Sequence, residues 1–182
     1  MDLSQRPLAP HPYRDALPEL PIFTLQSADF VDSERLDIDL TGEGQNRSPH
    51  LCWSDVPKGT ESFVLSCFDP DAPTPSGYWH WTIVNLPATV RELPAGAGAD
   101  DATLQAATNS QAFHIRNDSG NFGYDGPFPP AGDRPHRYVF AVHALAVAKL
   151  ELKPESATNA TAHFQSLFNG LVRAYLTGTY QR

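Results

Sequence analysis

Between Phe68 and Asn85 the chain reads FDPDAPTPSGYWHWTIVN, which sets Asp69, Asp71 and His80 at the ends of two otherwise apolar runs. A turn needs none of these three side chains. An aspartate in a turn ordinarily faces water, but Asp69 follows directly on SFVLSCF, where a carboxylate needs a partner. A histidine on the neighbouring strand would supply one. Such a pair raises the histidine pKa and lowers that of the acid, so the expected arrangement is Asp69 setting His80 at the rim of a small cavity.

A second cluster, GYDGPFPPAGDRPHRY, runs from Gly123 to Tyr138. His136 opens an apolar strand there, and Tyr138, two residues on, shares its face. Both clusters couple a stiff Pro/Gly loop to polar residues at a strand end, which gives fixed geometry without a helix. The signatures of a nucleophile elbow, a P-loop, a dinucleotide loop, H-E-x-x-H or paired CxxC are all missing, so neither a metal nor catalysis is expected.

The elements that must position these residues are mostly strands. HLCWSDVP (50–57) reads as a short strand ending at Pro57, and SFVLSCF, WHWTIVNL and RYVFAVHAL are runs apolar on both parities and therefore covered on both faces. RLDIDL (35–40) alternates and reads as a half-buried strand. One stretch, Ser156 to Leu176, carries i, i+3, i+4 spacing and predicts an amphipathic C-terminal helix, with GTYQR as a last short strand. No helix separates successive strands, so the sheet is antiparallel. Residues 1–21 hold five prolines and read as an arm on the domain or on a partner subunit, its first ten residues disordered; residues 22–182 form one domain. The arm and the helix together suggest a homodimer.

Thirteen basic against twenty-one acidic residues leave a formal charge of -8, which argues against nucleic acid and anionic bilayer surfaces as partners. The first 21 residues lack the basic-then-apolar pattern of a signal peptide and no apolar run reaches membrane-spanning length, so a cytoplasmic location is expected, without stable membrane insertion. Cys52 and Cys67 sit in apolar runs and read as buried thiols; a disulfide would require their strands to be neighbours.

The segments FDPDAP, GYWHWTIVNLP, GYDGPFPPAGDRPHRYVFAVHAL and LTGTY together resemble the phosphatidylethanolamine-binding protein family, in its bacterial, Raf-kinase-inhibitor-like branch. The resemblance implies a mainly β fold, a large antiparallel sheet packed on a smaller one. It also implies a pocket for phosphate-like anions such as a phospholipid head group, walled by Asp69, Ala72, Pro73, Trp79, His80, Gly126, His136 and Tyr138. Asp71 would support the loop, and the peptide before Pro73 would be cis. Bacterial relatives often read Gly-Tyr-Gly-Gly where this chain has Asp125 in the third place. The expected function is small-anion binding without a cofactor. Inhibition of a kinase or protease through protein contact is the alternative, and phosphoester chemistry by an Asp–His pair a lesser one.

Overall fold

The computed structural model describes residue 3 and residues 5–182. Strands β1 (Thr24–Gln26), β2 (Leu51–Ser54) and β5 (Glu92–Leu93) form a small antiparallel sheet in the order β1-β2-β5. The large sheet takes β3 (Ser62–Asp69), β4 (Tyr78–Pro87), β6 (Phe113–His114), β7 (His136–Leu145) and β8 (Gly170–Tyr180) in the order β6-β4-β3-β7-β8, antiparallel throughout. Two helices complete it, α1 (Asp101–Thr108) and α2 (Asn159–Asn169).

The unbroken apolar runs of β3, β4 and β7 follow from their place at the sheet centre, where both faces are covered. The inner face carries Phe63, Leu65, Trp81, Ile83, Phe140 and Val142, packed against Leu25, Leu51, Trp53 and Leu93 of the small sheet. The outer face is covered in two patches. Ala162 of α2 lies with Val64, Val84 and Leu145, and Tyr13 of the N-terminal arm lies on Val139 and Ala141. The arm therefore packs on its own chain. The disorder expected of the first ten residues falls partly on residues 1, 2 and 4, outside the described residues. Arg6, by contrast, is anchored to Asp133 at 2.6 Å.

Three expectations need correction. RLDIDL is not a strand: Arg35 bridges Thr179, and Ile38–Leu40 form a 3₁₀ turn capped by the Asp37 carboxylate, which accepts from the Asp39 amide. The alternation misled because Leu36 and Leu40 are fully buried whereas Ile38, between them, is 54% exposed. The C-terminal helix is present but ends at Asn169, and the last third of its expected span belongs to β8, an eleven-residue strand. Gly170 makes the abrupt exit possible, since a Cβ there would stand 2.8 Å from the Ser166 carbonyl. Phe164 and Phe168, which lie on the apolar stripe of the expected helix, are 65% and 72% exposed; the buried face is Asn159, Ala162 and Ser166. Finally, no cis peptide occurs among the described residues. The loop turns at Pro73 through a trans bond, with the Thr74 amide donating to the Ala72 carbonyl at 2.7 Å. Cys52 and Cys67 are free thiols on strands of different sheets.

Candidate functional site

The ends of β3, β4 and β7 and the loop 119–130 enclose a cavity of about 490 Å³. Asp69, Ala72, Pro73, His80, Gly126, His136 and Tyr138 line it, joined by Tyr78, Ser119, Asp125 and Phe128. Sequence reasoning thus brings seven of its nine residues to one place.

His80 reaches the cavity through a bulge. Cys67 pairs with Trp81 and Phe68 with Trp79, so His80 is one residue too many on β4. A bulge re-aims the inserted side chain, and His80 is held where it points: its Nδ1 donates to the Asp125 carbonyl at 2.6 Å, while the Asp125 amide donates to the His80 carbonyl at 3.0 Å. Its ring stands edge-on to Tyr138, 5.1 Å between centroids. Burial lowers the His80 pKa, against the opposing pull of the Asp125 carbonyl and the Asp69 charge. The ring is therefore neutral near pH 7, with its proton on Nδ1 and a lone pair on Nε2.

Asp69 does not set His80. Its Oδ2 accepts from His136 Nδ1 at 2.7 Å, and its Oδ1 accepts from the Asp71 amide at 2.7 Å. His136 Nε2 in turn donates to Asp133 Oδ2 at 3.0 Å, which also pairs with Arg6. Burial pulls the His136 pKa down, but hydrogen bonds and charge from Asp69 and Asp133 outweigh it and leave the pKa raised. His136 is thus an imidazolium locked between two carboxylates, with neither ring nitrogen left for a ligand. Asp69⁻, His136⁺, Asp133⁻ and Arg6⁺ form an alternating row whose charges cancel.

Two expected wall residues stand elsewhere. Asp71 is buried beneath the loop and grips Arg137 with both oxygens, at 2.8 and 2.9 Å, also accepting the Arg137 amide at 3.0 Å. It fixes the loop, and its pKa is lowered: burial opposes ionisation, but the Arg137 hydrogen bonds prevail. Trp79 leaves by the opposite face of the sheet, because strand alternation separates it from Tyr78; it stacks on His163 at 4.2 Å. Gly126 lines the cavity, but its amide donates to Asn46 Oδ1 at 2.6 Å and is not available to a ligand. A Cβ on Gly126 would meet the Leu40 carbonyl at 2.5 Å, so glycine permits the loop's close approach.

Sequence reasoning missed Tyr78, Ser119 and Asp125 as a connected set. The Tyr78 hydroxyl bonds Ser119 Oγ at 2.8 Å, and Ser119 Oγ donates to the Asp125 carboxylate. No local spacing signals it, since Tyr78 and Ser119 are distant in sequence. Among the side-chain polar atoms of the lining, the Tyr138 hydroxyl is the one buried without a hydrogen-bond partner. Burial first, then the Asp69 charge, hold its pKa far above the ordinary value, so it is a permanent donor. Among the described residues, no three His, Cys, Asp or Glu side chains are grouped to hold a metal ion.

Comparison with known proteins agrees with this architecture. The family model described as phosphatidylethanolamine-binding protein matches residues 26–181. The UPF0098 protein YbhB of Escherichia coli K12 is 46% identical over 138 residues, 76% of this chain and 84% of its own length. The crystal structure of E. coli YbcL, described as a member of the mammalian PEBP family, superposes with a TM-score of 0.82 at 41% identity, covering 88% of this chain and 98% of that one. A Mycobacterium tuberculosis protein named as a lipoprotein, LppC, is 31% identical over 158 residues, 87% of this chain and 72% of its own. No helix among the described residues is long and apolar enough to cross a membrane. With the family model spanning most of the chain and the two-sheet architecture in common, the chain belongs to the phosphatidylethanolamine-binding protein family.

Proposed function

We propose that the protein binds a small phosphoryl ligand carrying a cationic end, of the phosphoethanolamine head-group kind, in the cavity at the ends of β3, β4 and β7. The buried, partnerless Tyr138 hydroxyl carries this reading, because an unsatisfied buried donor costs about 1–3 kcal/mol until an acceptor arrives. A phosphoryl oxygen supplies that acceptor. His80 adds a second donor once it takes up a proton on Nε2, a change that a neighbouring anion favours. His136 contributes no bond of its own; its part is to hold Asp69 in place. The Asp125 carboxylate in the same wall favours an ammonium beside the phosphate and disfavours a bare polyanion.

Titration calorimetry with phosphoethanolamine and with inorganic phosphate tests this. Both should raise the melting temperature, phosphoethanolamine more, and His80→Ala should remove the shift. Binding should take up a proton below pH 7, read by repeating the titration in two buffers of different ionisation enthalpy. An undiminished shift in His80→Ala would take His80 out of the site, and preference for bare phosphate would remove the acidic wall from recognition.

A further inference from the structure

The opposite face of the large sheet carries a second cavity, of about 380 Å³, between the arm and the ends of β3 and β4. Tyr13 and Leu17 roof it, Phe68 and Trp79 form an aromatic wall, and His143, His163 and Arg173 lie at its polar end. Its size falls within the roughly 300–1,000 Å³ typical of small-molecule sites.

The polar end is electrostatically incomplete. Arg173 is 3% exposed, yet it forms no ion pair with a carboxylate among the described residues. Its side chain donates through Nε to His143 Nδ1 at 3.3 Å and lies 4.8 Å from the Tyr13 ring. Glu19 lines an adjoining recess with Arg173 but is not paired with it. Because His143 Nδ1 accepts from Arg173, the proton of the neutral ring sits on Nε2, and that buried N–H has no partner. His163 Nε2 is likewise buried and unpartnered, with the two rings 5.5 Å apart. Burial holds both rings neutral, His143 well below its ordinary pKa and His163 down at about 3. A buried cation and unsatisfied imidazole nitrogens are costly unless something answers them.

We propose that this cavity is a second binding site, for a small monocarboxylate with an apolar, preferably aromatic, body. One carboxylate pairs with Arg173 and accepts from the imidazole N–H groups. The single cation matches a monoanion, whereas a phosphate dianion would bring an uncompensated charge into an apolar chamber. The body of the ligand packs on Phe68 and Trp79 beneath the arm. This site shares no lining residue with the head-group cavity, so its occupancy is independent of the reading given above.

The test uses the full chain labelled at its histidines and titrated with 3-phenylpropionate while phosphoethanolamine is kept in excess. The His143 and His163 ring signals should move saturably with a Kd of ~1 mM or tighter, while those of His80 and His136 stay still. The neutral 3-phenylpropanamide should bind at least about tenfold more weakly, the size expected when a buried charge loses its partner. Arg173→Met should weaken the acid similarly and leave the phosphoethanolamine titration unchanged. Silence at both histidines up to ~10 mM acid, or equal binding of the amide, overturns the proposal. Should Arg173→Met fail to fold, the acid–amide comparison on the native chain still decides. Movement of His80 alone would assign the acid to the other cavity and also overturn it.

Discussion

Adjacent residues of the same strands serve the two cavities: Asp69 and His80 turn inward, Phe68 and Trp79 outward. The two chambers handle charge in contrary ways. In the inward one, every formal charge around His136 already has its opposite within hydrogen-bonding distance, and the buried side-chain atom left unmet is a neutral hydroxyl. In the outward one, a full cation is buried with no counter-charge among the described residues. Compensated charge holds a loop in shape, whereas uncompensated charge costs stability that a ligand can return.

That contrast can be broken most forcefully at Asp69. Asp69→Ala strips a partner from a buried imidazolium, and urea unfolding at pH 6 should show a loss of about 3–5 kcal/mol; a loss under about 1 kcal/mol would mean the row of charges is ornamental. The same loss should depend on pH in a definite window. His136 has its pKa raised above 6.5, so its contribution is complete below 6.5 and fades as pH rises through the folded value. Asp133 is lowered from 3.8: burial opposes ionisation but the bonds from His136, the Arg134 amide and Arg6 prevail. Its contribution is complete above 3.8 and fades as pH falls through the lower folded value. Unfolding of native protein and Asp69→Ala at pH 5 and pH 9 should therefore show the larger difference at pH 5.

Tyr138→Phe sharpens the comparison from the other side. Removing an unsatisfied hydroxyl should raise stability by about 1 kcal/mol while weakening phosphoethanolamine, and a variant that loses stability would imply a hidden partner for the hydroxyl. In the outward cavity, Arg173→Met should be neutral to mildly stabilising, within about 1 kcal/mol. A larger loss would show that its packing on Tyr13 matters more than its unpaired charge. The smallest effect is expected at Phe164→Ser on the exposed face of α2, within about 0.5 kcal/mol by thermal melting.

How much of this was legible beforehand depended on whether a residue's neighbours were fixed by its own segment. The unbroken apolar runs of β3, β4 and β7 announced central strands because burial on both faces leaves no alternation to misread. Leu171, Val172 and Tyr175 fit a helical stripe as well as a strand, and β7 as a pairing partner decided for the strand. Asp69 was rightly expected to need an imidazole, but β3 has β4 on one side and β7 on the other, and nothing local chooses between His80 and His136. The bulge at His80 and the Tyr78–Ser119–Asp125 chain likewise arise only when distant segments meet.

The arm changes where the molecule should be considered to begin. Arg134 donates to the carbonyls of Arg6 and Pro7, and Arg137 to that of Ala9, so the arm is stitched to the loop and strand that carry His136. Further along, its Tyr13 and Leu17 close the outward cavity. A protein trimmed to the family boundary at residues 26–181 would keep the large sheet, yet it would lose Thr24 and Leu25 of β1, the clasp on the segment that carries His136 and the ceiling of the outward cavity. For this chain the family boundary is narrower than the folded unit that shapes the two cavities.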